Sequence, residues 1–249
     1  MARFGVILVA AGRSSRFADP HYKKPFAPLA GRPVWLHSAE KFCDRDDVAK
    51  VVVVISPEDR QEFLDKFAAN LALLGMSWAE GGEERADSVE AGFAKLGDDA
   101  DFVVIHDAAR PCLAEAWIDR VFQEAQGHAA AILATPVVST LKRVAEDGVI
   151  SSTVDRTNLW EAQTPQVFRR DILERAFAHR RATPALASTD EASIVEALGV
   201  PVRVVASSPI NLKITSRDDL RLAEQALKAL PKPKLPGPAH PFAGDDLWR

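Results

Sequence analysis

Short apolar runs rich in valine and isoleucine recur along the chain, and longer amphipathic stretches separate them. Their hydrophobicity is continuous rather than alternating, which predicts strands buried on both faces, as in a parallel sheet. These predicted strands are Phe4–Ala10, Val51–Ile55, Phe102–Ile105, Ala129–Ala134 and Val202–Val205.

The stretches between and after these runs have helical periodicity. Two of them begin with proline, which is favoured at the first position of a helix. The predicted helices are Pro33–Phe42, Pro57–Leu71, Arg85–Leu96, Ala114–Ala125, Asp171–Arg181, Thr189–Leu198 and Ser216–Leu230. Because strands and helices alternate, we predict an α/β three-layer sandwich with a mostly parallel sheet.

The segment from Ser139 to Asn158 breaks this alternation. Thr140–Val144 and Val149–Val154 are strand-like and flank a turn at Asp147-Gly148, so we predict a β-hairpin. A hairpin inserted between α/β units has no core of its own. We expect either that it packs on a second subunit or that it forms an antiparallel flap at the edge of the main sheet.

The rest of the chain has a simple organisation. No repeat or linker divides residues 1–230, which we therefore interpret as one domain. Proline recurs from Pro231 to Pro241, so the end of the chain can neither form a helix there nor join a central strand. We interpret Pro231–Arg249 as an extended tail.

Charge and cysteine content limit the function. The chain has 249 residues and a net charge of −4, which leaves no global positive field for a nucleic-acid backbone. The apolar run at Phe4–Ala10 is too short to span a membrane. Cys43 and Cys112 are too few for a disulfide framework and lack the spacing of a metal site. We expect a soluble, cytoplasmic protein that binds phosphates through local clusters of cations.

Small and basic residues are concentrated after the first predicted strand, where ligands bind in open parallel sheets. The loop begins Ala10-Ala11-Gly12-Arg13-Ser14-Ser15-Arg16, and Lys23-Lys24-Pro25-Phe26 follows it. Small residues let backbone amides approach a polyphosphate closely, and the cations add positive charge. These features predict a phosphate-binding loop, although a solvated basic loop has the same composition.

Several familiar catalytic motifs are absent from the sequence. It has no G-x-x-x-x-G-K-[ST], and Gly12 lacks the partners for G-x-G-x-x-G, which disfavours a P-loop ATPase and a nicotinamide dehydrogenase. It also has no G-x-S-x-G motif. A substrate phosphate, whose second pKa is about 6, can itself attack a nucleotide α-phosphate. Such an enzyme needs cations, positioning and a metal ion rather than a general base.

A polar segment, His106–Pro111, follows the strand Phe102–Ile105. Asp107 in this position can meet a metal ion or a hydroxyl of ribose or substrate, or it can cap the following helix. Arg110 is a further candidate, with an ordinary surface charge as the alternative. We predict that His106 is packed and hydrogen-bonded, because no histidine or cysteine partner has metal-site spacing.

Two later segments add candidates. Gly81-Gly82 precedes the helix Arg85–Leu96 and can free backbone groups to read a base edge, with Ser88 adding a hydrogen bond. An ordinary helix start is the alternative. Ile210–Thr215 predicts a short strand whose Lys213 either points inward or reaches solvent.

Together these segments resemble the 2-C-methyl-D-erythritol 4-phosphate cytidylyltransferase family, in the family's order, from Phe4 to Leu230. Each motif is weak alone, but the combination is specific. The motifs are Ala10-Ala11-Gly12 with Arg16 and Lys24-Pro25-Phe26, Glu84–Val89, His106–Pro111, Thr153–Arg156, Thr164-Pro165-Gln166, Thr189–Ala192 and Asn211–Thr215.

The resemblance implies a Rossmann-like fold and a homodimer in which the hairpin is a projecting β-arm. It implies transfer of a cytidylyl group from CTP to a polyol phosphate with release of pyrophosphate, while Mg²⁺ bridges the triphosphate. Arg16 and Lys24 would stabilise the transition state, and Arg156 and Lys213 would position the acceptor.

The same resemblance implies two groups of binding residues. The residues at CTP would be Ala10, Ala11, Gly12, Gly82, Glu83 and Ser88. The residues at the acceptor would be Asp107, Arg110, Thr140, Arg156, Thr164 and Lys213. Thr140 and Arg156 would come from the partner subunit, and Asp107 would lie near Mg²⁺.

Some positions depart from the family pattern. Ser14 stands where a second glycine is common, and Glu83 stands where aspartate is common. One extra residue follows Arg16, which leaves Lys23 as the alternative to Lys24, although Pro25-Phe26 favours Lys24. Two other functions stay open: a ribitol 5-phosphate cytidylyltransferase, and a non-catalytic CTP-binding regulator, against which the four catalytic cations argue.

Overall fold

The computed structural model describes residues 2–12, 17, 23–183 and 188–231. Strands and helices alternate along these ranges, as the sequence predicts. The strands are β1 (Phe4–Val9), β2 (Pro28–Leu29), β3 (Arg32–Pro33), β4 (Val48–Ile55), β5 (Ser77–Glu80), β6 (Phe102–Asp107), β7 (Ala130–Pro136), β8 (Leu141–Val144), β9 (Ile150–Val154), β10 (Trp160–Arg169) and β11 (Arg203–Ala206).

All of the predicted helices are present, with ends that differ by a few residues. The α-helices are α1 (Val34–Cys43), α2 (Arg60–Leu73), α3 (Arg85–Leu96), α4 (Glu115–His128), α5 (Arg170–Ala182), α6 (Glu191–Glu196) and α7 (Arg217–Ala229). A 3₁₀ turn at Pro57–Asp59 precedes α2 and explains the earlier predicted start. None of the helices in the described ranges is long and apolar enough to cross a membrane.

Seven strands form the central sheet in the order β11-β7-β10-β6-β1-β4-β5. β1 lies near the middle and is parallel to both neighbours, so that Ile7 lies opposite Val52 on one side and Ile105 on the other. β10 is antiparallel to both β6 and β7. The prediction of a mostly parallel sheet is confirmed.

The side chains of β1 alternate between two apolar layers, which makes the fold a three-layer sandwich. Val6 and Leu8 pack with residues of α1, α2 and α4, among them the fully buried Trp35 and Phe42. Ile7 packs on the opposite face with residues of α3, α5 and α6. The β6–β1–β4 strands are thus covered on both sides, which explains their continuous hydrophobicity.

The hairpin predicted between Ser139 and Asn158 forms a separate two-stranded sheet. Leu141 of β8 lies opposite Val154 of β9, and the strands are antiparallel. Gly148 has a φ of 84°, a left-handed conformation that glycine adopts at low cost, so the turn lies where the sequence predicts it.

Two expectations differ from the structure. The sequence analysis does not predict β5 and β10, nor the two-residue strands β2 and β3. Ile210–Thr215 forms no strand; this segment is irregular, and its Ile214 amide donates to the Ala109 carbonyl. The predicted tail lies outside the described residues after Pro231.

Candidate functional site

A cavity of about 330 Å³ opens where β1 and β6 end. The C-terminal edge of a parallel sheet is the usual place for a ligand site. The lining residues are Val9, Ala10, Ala11, Gly12, Lys24, Pro25, Gly82, Glu83, Glu84, Arg85, Ser88, Asp107, Ala109 and Lys213. The structure therefore brings together the six residues predicted for CTP with Lys24, Asp107 and Lys213.

The first loop leaves β1 along the cavity wall. The Ala10 amide donates to the Val54 carbonyl at 2.7 Å, which extends the strand pairing up to the cavity. Arg16 and Ser14 lie outside the described residues, so the structure does not address the roles predicted for them. Phe17 is buried against Ile214 and Ala223, in an apolar cluster beneath the irregular segment that carries Lys213.

The two adjacent lysines have different surroundings. Lys24 lies on the cavity wall. The Lys23 ammonium lies 2.5 Å from a carboxylate oxygen of Asp59, which is buried at the start of α2. The structure therefore gives the cavity position to Lys24, the lysine that the Pro25-Phe26 motif favours.

An aromatic cluster fixes the residues that follow Lys24. The Phe26 ring lies 5.5 Å from the ring of Phe63 and 5.9 Å from that of Phe67, and Trp35 packs on both of these rings. Such pairs contribute about 0.5–1.5 kcal/mol beyond their apolar burial. The backbone at Lys24 is therefore anchored to the core through Phe26, two residues further along the chain.

The glycine pair allows two loops to touch. A Cβ atom on Gly81 would lie 2.7 Å from the Ala11 Cβ and 2.6 Å from the Ser88 hydroxyl, which is closer than real contacts. Ser88 accepts a hydrogen bond from the Gly82 amide at 3.2 Å and donates to the Glu84 carbonyl at 3.1 Å. The Gly82 amide and the Ser88 hydroxyl, which are predicted to read a base, thus hold this loop in its conformation.

Asp107 is the centre of the charged part of the site. Its carboxylate lies 2.8 Å from the Lys213 ammonium, 3.4 Å from Arg85 Nη2 and 3.6 Å from Arg110 Nε. Burial by itself raises the pKa of Asp107, but the charges of Arg85, Lys213 and Arg110 outweigh it and hold the pKa below its usual range. Asp107 is therefore ionised near neutral pH and is a poor general base.

Arg110 does not line the cavity and supports the site from behind. Its Nη1 donates to the Asn211 carbonyl at 2.7 Å, and the Asn211 side chain donates to the Thr164 carbonyl at 3.0 Å. Burial lowers the pKa of Arg110, while Asp107 opposes that shift. These contacts tie the segment that carries Lys213 to the end of β6.

His106 and Thr164 form a buried chain of hydrogen bonds. The Asp107 amide donates to the Thr164 hydroxyl at 3.0 Å, and this hydroxyl lies 3.0 Å from His106 Nδ1. His106 Nε2 lies 3.1 Å from the Arg110 carbonyl, which can only accept, so the proton is on Nε2 and Nδ1 accepts from Thr164. His106 is packed and hydrogen-bonded, as predicted. The Thr164 hydroxyl has no position on the cavity wall.

Thr140 and Arg156 do not join the other predicted residues. Both are exposed, and neither lines the cavity. Arg156 Nη1 donates to the Val138 carbonyl at the base of the hairpin. A single chain thus presents the cavity without these two groups.

Sequence reasoning gave no role to Arg85 or Glu191, which the structure places beside Asp107. Arg85 Nη1 contacts both carboxylate oxygens of the buried Glu191, at 2.7 and 2.6 Å. Both residues lie inside the motifs on which the resemblance rests, Glu84–Val89 and Thr189–Ala192. Nothing local links them, because their pairing spans 106 residues of chain.

The residues fit a cation-lined anion site better than a protein-held metal site. No cluster of three or more His, Cys, Asp or Glu side chains suited to a metal occurs within the described ranges. Asp107 already has three cationic neighbours, so its carboxylate does not fit a Mg²⁺ ligand. Burial raises the pKa of Cys43 and of Cys112 to about 12, so neither thiol is an activated nucleophile.

Comparisons with known proteins find matches over nearly the whole chain. The family model described as 2-C-methyl-D-erythritol 4-phosphate cytidylyltransferase matches residues 4–229. The enzyme of that name from Rhodopirellula baltica is 40% identical over 91% of this chain and 95% of its own length. The one from Aromatoleum aromaticum is 43% identical over 90% of this chain and 95% of its own length. A solved structure of the Thermus thermophilus enzyme has a TM-score of 0.74 and 31% identity, covering 92% of this chain and 100% of its own.

The buried His106 predicts a pH dependence of stability. Burial lowers its pKa from 6.5 to about 4, so between these values the unfolded chain binds a proton that the folded chain does not. The free energy of unfolding should therefore fall as pH falls from about 6.5 to about 4, by up to about 3 kcal/mol from this residue. Urea unfolding of the wild type and of His106→Gln across this range measures it. Equal pH slopes for the two proteins would contradict the prediction.

Proposed function

The chain belongs to the 2-C-methyl-D-erythritol 4-phosphate cytidylyltransferase family, and we propose that it joins CTP and 2-C-methyl-D-erythritol 4-phosphate. The products are 4-diphosphocytidyl-2-C-methyl-D-erythritol and pyrophosphate. The observation that carries this proposal is one cavity whose wall combines the Ala10-Ala11-Gly12 loop with Lys24 and with the Asp107–Lys213 pair. Such a wall suits two phosphate groups that must meet.

CTP occupies the part of the cavity between the first loop and the start of α3 in this proposal. Small residues at Ala10, Ala11 and Gly12 leave space for the triphosphate beside backbone amides. Gly82, Glu83 and Ser88 form the facing wall, where a nucleoside fits. Lys24 lies on the same cavity and supplies positive charge for the α-phosphate.

The acceptor phosphate is the nucleophile. One of its oxygens forms a bond to the α-phosphorus of CTP, and the bond from that phosphorus to the β-phosphate oxygen breaks, releasing pyrophosphate. Because the second pKa of a phosphate monoester is about 6, the attacking oxygen needs no general base. This agrees with Asp107 being ionised and paired. Lys24, together with Arg16, stabilises the charge that develops at the α-phosphate.

Lys213 positions the acceptor phosphate, and Asp107 and Arg110 hold Lys213 in place. The ammonium of Lys213 lies 2.8 Å from Asp107, yet about a third of its side chain is exposed and it lines the cavity. It can therefore donate to a phosphate without leaving its carboxylate partner, because an ammonium has three protons.

Mg²⁺ enters as a partner of CTP in this proposal. Because the Asp107 carboxylate is occupied by cations, Mg²⁺ would be held mainly by the phosphate oxygens of CTP and by water. It supplies neutralisation of the triphosphate charge. The reaction takes place in the cytoplasm, in keeping with two cysteines that are both free.

Pyrophosphate release tests the proposed reaction. With CTP and Mg²⁺, release should depend strongly on 2-C-methyl-D-erythritol 4-phosphate and should stop when EDTA removes the metal. Ribitol 5-phosphate and a reaction without acceptor are the controls. Release only with ribitol 5-phosphate would change the substrate, and CTP binding without release on either polyol phosphate would instead support a CTP-binding regulator.

A matched pair of substitutions tests the lysine assignment. Lys24→Ala should lower kcat by about 10²–10³, because it removes a cation that acts on the transition state. Lys23→Ala removes the contact with Asp59 but no group on the cavity wall, so its kcat should fall less than about tenfold. Measured kcat values in the reverse order would give the catalytic position to Lys23.

We also propose that the hairpin joins two copies of the chain. Apolar side chains are exposed on and around it, whereas soluble proteins rarely expose such groups together. These residues are Val138 (73%), Val144 (52%), Val149 (62%), Ile150 (57%), Leu159 (38%) and Trp160 (43%). Pairing of two hairpins would cover them and carry Thr140 and Arg156 to the cavity of the partner subunit.

Mixing two inactive variants tests this arrangement. Lys24→Ala and Arg156→Ala should each have little activity alone. In a mixed dimer one cavity has both defects, while the other has Lys24 from one subunit and Arg156 from the other. When equal amounts of the two variants are refolded together, about a quarter of all sites should be intact, which gives about a quarter of the activity of the same amount of wild type. No recovery in a mixture shown to contain mixed dimers would contradict the sharing of Arg156 between subunits.

A further inference from the structure

Glu191 is a buried acid that the proposed mechanism does not use. It is 1% exposed at the start of α6, and both of its carboxylate oxygens contact Arg85 Nη1. A buried charge is strongly unfavourable unless a partner compensates it. Arg85 is that partner, and its own side chain lines the cavity.

Arg85 also links Glu191 to the charged part of the site. Its second terminal nitrogen, Nη2, lies 3.4 Å from Asp107 Oδ1, and the other oxygen of Asp107 lies 2.8 Å from the Lys213 ammonium. Opposite charges thus alternate along the series Glu191, Arg85, Asp107 and Lys213. The planar guanidinium allows this, because it presents nitrogens to two carboxylates at once.

Asp107 has a limited number of lone pairs for its three cations. Arg85, Arg110 and Lys213 all approach it, and among these three cations Arg85 is the one that also contacts a second carboxylate in the described residues. Glu191 therefore determines how strongly Arg85 competes for Asp107. With a neutral residue at 191, the Arg85 charge would be balanced by Asp107 alone and would draw that carboxylate away from Lys213.

We propose that Arg85 and Glu191 are positioning residues, which fix Asp107 so that Lys213 is held where it meets the acceptor phosphate. This inference rests on the proposed function. Arg85 belongs to the start of α3, on the CTP side of the cavity, and Lys213 belongs to the acceptor side. The pair therefore sets the relative placement of the two substrates as well.

A second arginine that contacts the start of α3 provides a matched control. Arg180 of α5 contacts Glu84 at 2.7 Å and Asp87 at 2.9 Å, so it anchors the start of that helix. It has no contact with Asp107 among the ion pairs of the described residues. Arg180→Gln should therefore loosen the start of α3 without disturbing Asp107, which lies between Arg85 and Lys213.

The test compares Glu191→Gln with Arg180→Gln, each in the wild type and in Asp107→Asn. Glutamine keeps the shape of Glu191 and removes its charge. We expect Glu191→Gln to lower kcat/KM for the acceptor about tenfold or more and to change KM for CTP less than about threefold. In the Asp107→Asn background, Glu191→Gln should lower kcat/KM for the acceptor less than about threefold, because both substitutions act through the carboxylate of Asp107.

Three outcomes of these kinetic measurements would overturn the proposal. They are an unchanged kcat/KM in Glu191→Gln, an equal loss in Arg180→Gln, and an undiminished effect in Asp107→Asn. If Glu191→Gln does not fold, Arg85→Lys replaces it. A single ammonium cannot bridge both carboxylates as the guanidinium does, so Asp107 loses the contact that fixes it and kcat/KM for the acceptor should again fall.

A readout without turnover separates this inference from the proposed function. Amine acylation of Lys213, followed by mass spectrometry, should be several times faster in Glu191→Gln than in the wild type, because Asp107 then holds Lys213 less tightly. Lys41, outside the cavity, should react equally in both. If the wild type were inactive on every polyol phosphate, the proposed function alone would be refuted. If Lys213 were acylated at equal rates in the wild type and in Glu191→Gln, the positioning role alone would be refuted.

Discussion

A single carboxylate at the end of a fully buried strand governs the arrangement of the site. Asp107 is 7% exposed, so its charge requires partners that water would otherwise supply. Arg85, Arg110 and Lys213 provide them from three different segments of the chain. The need to compensate one buried charge therefore brings together the start of α3, the turn after β6 and the irregular segment before α7. The same contacts give fixed positions to the cations that we propose for phosphate binding.

The sequence predicts the layers of the fold well, because burial on both faces leaves a local signature. β1, β4 and β6 are apolar throughout most of their length, and their strands were predicted within a few residues. β10 lacks that signature, since it carries Gln163 and Gln166 in its buried part. Gln163 accepts from Asn211, and Gln166 donates to Asp190, so distant side chains satisfy these polar groups. No local pattern reveals such partners, and β10 was missed for that reason.

The candidate site divides in the same way. Short motifs predicted the loop at Ala10, the choice of Lys24 and the place of Asp107 in the site, because each depends on residues near one strand end. Arg85 and Glu191 were not given a role, since their contact depends on how α3 and α6 pack on one sheet face. Gly81 shows a third case. The sequence predicts that the glycine pair frees backbone groups to read a base edge, and in the structure the missing side chain of Gly81 also prevents a clash with Ala11 and Ser88.

The hairpin leaves and re-enters the main sheet at adjacent positions. β7 and β10 pair directly, and Trp160 at the start of β10 lies opposite Pro136 at the end of β7. The Val137 amide donates to the Leu159 carbonyl, which closes the base of the excursion. Everything between these residues can lengthen, shorten or change in sequence without shifting the register of a single central strand. Evolution can therefore alter the length and the contacts of this segment without disturbing the central sheet, as long as Thr140 and Arg156 keep the positions proposed for them.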